Sequence, residues 1–331
     1  MSIKVLDSVK TEDVDKLKEQ FAIDVLKGFS TKQKYLSSKY FYDDEGSRLF
    51  SEIMNSEDYY LTGCEIDVFQ RSKASLAKML KGSKFDLVEL GAGDGRKTKI
   101  LIEEFRKHNL EFDYIPIDIS EGALKTLEAL MKDEFEGFDP KGIVGDYADA
   151  LSWLSAQDSN PKVVLFLGST IGNFDRSGAL VFLRVLWRQL NAGDKILIGF
   201  DLKKDLTVLN RAYNDSRGVT KQFNLNILTR MNNELGANFD LNKFMHFGSY
   251  NPLIGAMESY LISTEKQSIY IEELEKTFTF KAFEPILLEY SNKYLIEDVE
   301  FYAKETGFTV LENFFDSKKY YLNSFWEVIK E

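Results

Sequence analysis

Between residues 85 and 200 the chain alternates short apolar runs with longer segments of helical period, and few folds accommodate that rhythm. The runs are FDLVEL (85–90), DYIPID (113–118), KGIVGD (141–146), KVVLFL (162–167) and DKILIGF (194–200). They are rich in β-branched residues and nearly continuous in hydrophobicity, as strands buried on both faces of a parallel sheet are. Between them, TKILIEEFRKH and EGALKTLEALMKDEF repeat apolar residues three and four apart, the period of a helix with one buried stripe. Parallel neighbours need a crossover, which right-handed βα units supply. The pattern predicts a doubly wound α/β sheet.

The rhythm stops after Asp201. Residues 202–285 mix a helical stretch, VTKQFNLNILTRMNNEL, with strand-like ones, AMESYLIS and QSIYI, and read as an inserted α+β region. From about Pro285 a strand–helix–strand pattern returns in ILLEYS, YLIEDVEFYAKETG, FTVLENFFD and YYLNSFWEVIK. A chain of 331 residues is long for one core and fits two domains, 61–201 with 286–331 and 1–60 with 202–285. The second is expected over the carboxyl edge of the sheet, where domain interfaces hold ligands.

Composition narrows the function. A formal net charge of -11, with no Lys/Arg cluster among aromatics, builds no field for phosphate backbones, so no nucleic-acid partner is expected. No apolar run approaches the roughly 18 residues that span a bilayer, and the first residues lack the apolar centre of a signal peptide. A cytoplasmic chain without a membrane partner is the expectation. The one cysteine, Cys64, can form neither an internal disulfide nor a multi-cysteine zinc site, and no metal is expected. Nothing in the sequence sets an oligomeric state, and a monomer is consistent with it.

The first chemical signal is VELGAGDGRKT (88–98), between the first strand and its helix. Glycines at 91, 93 and 95 allow a tight turn and bring a ligand against main-chain N–H groups at a helix start. A phosphate loop and a dinucleotide fingerprint both require glycine where Arg96 stands. What remains, Glu89 through Gly95, resembles the first motif of class I S-adenosylmethionine methyltransferases. Asp118 closes the second strand, where a carboxylate can accept both ribose hydroxyls of an adenosine; it could equally cap the helix that opens at Ser120. Asp146 ends the third strand, where it can accept from an adenine amino group while Tyr147 packs beside the ring.

The fourth strand runs into FLGSTIGNF (166–174). In a doubly wound sheet this loop lies beside the first strand and faces the reacting end of a cofactor. Gly168 and Gly172 permit close backbone approach, and Asn173 offers one carbonyl and one amide. Ser169 or Thr170 could instead cap the helix near Arg176. The segment closely resembles the signature of the histidine-specific Nα-methyltransferases of ergothioneine biosynthesis, which trimethylate the α-amine of histidine to hercynine. KYFYDDEGSRLFSEI, DYYLTGCE, PIDISEGAL, GDYAD, RAYNDSRGVTKQFNLNILTRMNNELGANFD and LLEYSNKY are similar to the same family, from about residue 35 to the end.

The resemblance implies a class I methyltransferase sheet with an inserted α+β substrate-binding domain. It implies that Gly91, Lys97, Asp118, Asp146 and Tyr147 contact S-adenosylmethionine. Tyr59, Asn173, Tyr213, Glu289 and Ser291 would hold a small amino-acid substrate, with Tyr42, Phe50 and Gly168 close by. Asn173, with Tyr42 and Tyr59 beside it, would serve catalysis, where an ammonium must lose a proton before each transfer. Asn173 and Tyr213 would fix the carboxylate and amine, and Glu289 the far end. Two stretches depart from the family: Leu61 and Gly63 stand where it has Pro and Arg around the shared Thr62, and Ser259 replaces a methionine on the imidazole side of the pocket. A more polar wall at Ser259 keeps another amino acid or a biogenic amine open as substrate. A catalytically silent small-molecule-binding homologue is the rival from another class, and a nicotinamide oxidoreductase is disfavoured by the glycine spacing.

Overall fold

The computed structural model describes residues 3–6, 14–157 and 160–330. In chain order these form β1 (Lys4–Val5), α1 (Val14–Ser30), β2 (Lys34–Tyr35), α2 (Asp44–Met54), α3 (Tyr60–Met79), β3 (Phe85–Leu90) and α4 (Arg96–Lys107). Next come β4 (Phe112–Asp118), α5 (Glu121–Glu134), β5 (Ile143–Val144), α6 (Tyr147–Ala156), β6 (Lys162–Phe166), α7 (Arg176–Gln189) and β7 (Lys195–Asp201). They are followed by α8 (Leu206–Tyr213), α9 (Val219–Leu235), β8 (Phe244–Asn251), β9 (Ala256–Ser263), β10 (Gln267–Ile271) and β11 (Lys276–Phe280). The chain closes with β12 (Pro285–Asn292), α10 (Ile296–Thr306), β13 (Phe308–Phe315) and β14 (Tyr321–Val328). These elements divide into two compact units, one of residues 3–6, 63–203 and 294–330 and one of 14–62 and 204–293.

The first unit is built on an eight-stranded sheet in the order β1-β5-β4-β3-β6-β7-β14-β13. Its strands run parallel from β1 to β7, and β14 lies antiparallel to both β7 and β13. The sheet is thus mixed and doubly wound. Every residue of β3 and β6 is buried, which accounts for their unbroken apolar character. Helices cover both faces. On one side Val164, Ile198 and Trp326 pack with Leu183, Leu186 and Val299; on the other Leu165, Leu197 and Phe325 pack with Phe69, Ile102 and Leu127. Each such side chain contributes about 1.5–3 kcal/mol by leaving water. Because β3 lies between β4 and β6, the chain winds outward in opposite directions from that pair. The carboxyl ends of β3 and β6 therefore frame the switch point.

The second unit holds a four-stranded sheet, β2-β12-β9-β8, a β10–β11 hairpin, and α1, α2, α8 and α9. Its core gathers Phe29, Phe41, Phe223, Met231, Leu261 and Phe280. Helix α9 and strands β9 and β10 coincide with the expected periodic segments.

Two expected boundaries move. The return to the first unit comes at Tyr294 and not at about Pro285, because β12 pairs antiparallel with β9 and parallel with β2. Residues 3–6 belong to the sheet of the first unit: Lys4 and Val5 pair with Ile143 and Val144. Strand β5 is also shorter than KGIVGD, since Asp146 already caps α6. Among the described residues no helix is long and apolar enough to cross a membrane.

Candidate active site

In the first unit the carboxyl ends of β3, β4 and β5 gather the residues assigned to a nucleoside. Gly91, Gly93 and Gly95 all have positive φ, at 73°, 54° and 69°, and lead into α4. A side chain at Gly91 would start 2.7 Å from the Tyr147 hydroxyl, so glycine there lets the tyrosine close over the turn. Nothing lies within 4 Å of the place a Gly93 side chain would begin. Asp118 ends β4, and its Oδ1 accepts from the Ser120 N–H at 2.9 Å. The cap of α5 is Ser120, which accepts from Ala123 N, so Asp118 is not the capping residue. Burial raises the Asp118 carboxyl above its ordinary value, and the Ser120 and Ile119 N–H groups oppose the rise. Asp146 caps α6 by accepting from Ala148 N at 2.8 Å, and keeps an exposed carboxylate. Burial, with the charges of Asp118 and Asp146, holds the Tyr147 hydroxyl firmly protonated. Glu89, the acid of the glycine motif, is a brace: it accepts from Thr98 Oγ1 and the Tyr114 hydroxyl, each at 2.5 Å. Burial pushes its carboxyl up to about 7, and both hydroxyls pull it back.

The loop after β6 turns through two left-handed residues, Gly168 (φ 74°) and Ser169 (φ 56°), into a short helical turn, Thr170–Asn173. Ser169 Oγ, buried, accepts from Asp201 N at 3.0 Å and so ties the turn to the end of β7. Thr170 Oγ1 donates to Leu167 O, and the Tyr294 hydroxyl donates to Ile171 O. Neither Ser169 nor Thr170 caps α7; Asp175 does, accepting from Gly178 N at 2.6 Å. Asn173 ends the turn with its side chain exposed. Lys97, in the first turn of α4, pairs with the buried Glu65 of α3 at 2.8 Å. Glu65 was not anticipated.

In the second unit β12 carries Glu289 opposite Ser259 and Ser291 opposite Met257 on β9. Cross-strand partners share a face, so these four project to one side of the sheet. His246 and Gly248 of β8 lie on that side, and α8 packs against β8 and β9 there. A side chain at Gly248 would start 2.9 Å from Tyr213 O, so glycine admits the end of the helix. His246 Nε2 donates to Tyr213 O at 2.8 Å, while Nδ1 accepts from Asn224 Nδ2 at 2.7 Å. Burial lowers the imidazole's pKa and keeps it neutral, which that bonding requires.

The Tyr213 hydroxyl lies 2.6 Å from Ser291 Oγ, and the buried Lys293 ammonium donates to both, at 2.9 and 2.8 Å. The Tyr213 hydroxyl is thus tied to Ser291, two residues along β12 from Glu289 and on the same face. Burial pushes the Glu289 carboxyl up to about 7, with Lys293 pulling it down. No described residue donates a hydrogen bond to Glu289. Tyr42, Phe50 and Tyr59 form an aromatic run, with ring centroids 5.6 and 6.4 Å apart, and Phe223 lies 5.8 Å from both Tyr42 and Phe50. Tyr59 also packs against the cluster of Tyr213 and Met257. Its neighbour Asp58 accepts from Arg211 at 2.5 Å and from Ser216 N at 2.9 Å, holding the end of α8. Lys293, His246, Met257 and Asp58 were given no role by the sequence, although the stretches LLEYSNKY and DYYLTGCE contain the first and the last of them. Among the described residues no group of His, Cys, Asp and Glu could hold a metal ion.

A family model described as a histidine-specific, S-adenosylmethionine-dependent methyltransferase matches residues 21–328. The histidine N-alpha-methyltransferase of Mycolicibacterium smegmatis is 34% identical over 293 residues, 88% of this chain and 90% of that protein. The protein of the same name from Mycobacterium tuberculosis is 34% identical over 82% of this chain and 83% of its own. Among solved structures, the mitomycin 7-O-methyltransferase MmcR is similar over 96% of this chain and 69% of its own, with a TM-score of 0.47 and 10% sequence identity.

Proposed function

The chain belongs to the histidine-specific, S-adenosylmethionine-dependent methyltransferases, and from that premise we propose how its residues divide the methylation of an amino acid. It is an enzyme that methylates the α-amine of histidine with S-adenosylmethionine as donor. The residues present suit that donor. The space above Gly93 and the acceptor oxygens of Asp118 and Asp146 are what an adenosine needs, and Tyr147 supplies a flat neighbour. When bound, S-adenosylmethionine supplies an electrophilic methyl group and a sulfur leaving group.

In this reading Asp118 accepts from the ribose hydroxyls, Asp146 and Tyr147 serve the adenine, and Gly91 and Lys97 the rest of the cofactor. Asn173 and Gly168 serve the amino acid from the first unit. In the second unit Tyr42, Phe50 and Tyr59 wall the aromatic side chain. Tyr42 and Tyr59 also keep the α-amine's proton within reach of a hydroxyl, and Asn173 orients the amine. Glu289 accepts from an imidazole N–H, while Ser291 and Tyr213 offer hydroxyls to its other nitrogen or to the carboxylate.

One observation carries the reading. Glu289 is a partly buried carboxylate, charged over part of the neutral range, to which no described residue donates. Such an acceptor is costly to keep without a partner, and an imidazole N–H is a suitable one. We infer three successive transfers, giving trimethylhistidine, in the cytoplasm, on a free small molecule with no nucleic-acid or membrane partner; the net charge of -11 supports the last point. A second reading, another amino acid or a biogenic amine, is favoured by Ser259, the small polar residue directly opposite Glu289. Mass spectrometry of products from histidine, tyrosine, tryptophan and histamine tests both. Trimethylated histidine is expected, and turnover of none of the four would refute the assignment of the pocket.

A further inference from the structure

A well-bonded buried charge of the first unit closes the stretch DYYLTGCE and has been given no role so far. Glu65 sits on α3 with 1% of its surface exposed. Its Oε2 receives Lys97 Nζ at 2.8 Å, and its carboxylate receives the Gly168 N–H at 3.0 and 3.1 Å. Its Oε1 also receives the Tyr321 hydroxyl at 3.0 Å. These partners stand 32, 103 and 256 residues away in sequence, so the contact is tertiary and not an accident of one helix. Room for it is provided by Gly199 of β7, where a side chain would start 2.6 Å from Glu65 Oε1. A desolvated carboxylate is tolerated only with such compensation.

Two of the three donors belong to segments that frame the switch point. Lys97 lies in the first turn of α4 behind the glycine turn, and Gly168 begins the turn of FLGSTIGNF with a left-handed φ of 74°. The two segments meet: Lys97 Nζ lies 3.4 Å from where a side chain at Gly168 would begin. Lys97 spends one of its three N–H groups on Glu65, so the carboxylate fixes where the ammonium stands. The third donor, Tyr321, reaches the same carboxylate from β14, outside both segments. We propose that Glu65 is a positioning residue for the cofactor, holding the Lys97 ammonium in place to receive S-adenosylmethionine and, through the Gly168 N–H, fixing the adjoining turn beside it. This rests on the proposed assignment of Lys97 to the cofactor.

The test is titration calorimetry with S-adenosylhomocysteine on the full chain. Wild type must bind; if it does not, the cofactor reading itself fails, separately from this proposal. Glu65→Gln, which keeps the shape and one acceptor oxygen but loses the charge, should weaken binding about 10- to 100-fold, as expected when a charged hydrogen bond is lost. Lys97→Met should weaken it similarly, and the double variant should be no worse than the poorer single one. Tyr321→Phe removes a bond from the same carboxylate and should lower the melting temperature while leaving the affinity within about twofold. KM for S-adenosylmethionine should rise in Glu65→Gln with kcat little changed. Wild-type affinity in Glu65→Gln, additive losses in the double variant, or an equal loss in Tyr321→Phe would each overturn the proposal. Should Glu65→Gln not fold, Glu65→Asp, whose carboxylate is withdrawn by one methylene, takes its place: the same loss supports the proposal and wild-type affinity overturns it.

Discussion

Replacing Glu289 with Gln is expected to stabilise the second unit at alkaline pH. Burial pushes the Glu289 carboxyl from its ordinary 4.5 up to about 7, against the pull of Lys293. A carboxyl with a higher pKa in the folded chain holds its proton more tightly there. The stability it carries is complete below about pH 4.5 and is lost as pH rises through about 7. Roughly 2.5 pKa units at about 1.36 kcal/mol each amount to about 3 kcal/mol over the whole range, of which about 2.5 kcal/mol falls between pH 5 and 8. Gln keeps the shape and cannot ionise. The tryptophans, Trp153, Trp187 and Trp326, all belong to the first unit, so their fluorescence does not report the change. Hydrogen–deuterium exchange of peptides over β9 and β12 does. Relative to wild type, the protection free energy of Glu289→Gln should rise by about 2.5 kcal/mol from pH 5 to pH 8. Glu89, also at about 7, is common to both proteins and cancels. A difference that stays flat with pH would refute the reasoning, because Glu289 would then ionise as freely as it does in water.

Asp118→Ala should cost about 1.5–3 kcal/mol of S-adenosylhomocysteine affinity in calorimetry while α5 stays intact, because Ser120 and not Asp118 caps it. Unchanged affinity would remove Asp118 from the cofactor site. Ser259→Met, which faces Glu289 across the strands, should raise the preference for histidine over tyrosine by roughly 10-fold in competitive kinetics, the scale of a few methylenes in a pocket wall. An unaltered preference would place Ser259 outside that wall.

The parallel core of the first unit was legible because burial on both faces leaves a mark in every residue of a strand. FDLVEL and KVVLFL are buried throughout and could be read directly. β1 left no such mark: two residues, Lys4 and Val5, pair at the sheet edge with a strand of only two residues. β12 was visible as a strand, yet not as a member of the second sheet. PILLEYS is apolar enough for either sheet, and what decides is register with β9, including the irregularity between Leu287 and Glu289. Pairing partners are a tertiary fact that no local period encodes.

The same limit explains which parts of the site could be read. Three glutamates, Glu65, Glu89 and Glu289, are wholly or partly buried, and the fold gives them different partners. Glu65 meets an ammonium and two further donors. Glu89 meets two neutral hydroxyls, which brace the glycine turn and leave its carboxyl at about 7. Glu289 receives no hydrogen bond from a described residue and also sits at about 7, with Lys293 acting only through space. Sequence can say that a carboxylate in an apolar run will be desolvated, and it marks Glu89 and Glu289 in this way, whereas Glu65 is not singled out. It cannot say which donor arrives, because the donors come from strands and helices up to 256 residues away. A carboxylate saturated by the protein can only position its donors, whereas one left with unfilled acceptor capacity can take a ligand. By that criterion Glu65 belongs to the frame of the site and Glu289 to its contact with substrate, and a variant at Glu65 should be felt first in cofactor affinity, one at Glu289 in the choice of amino acid.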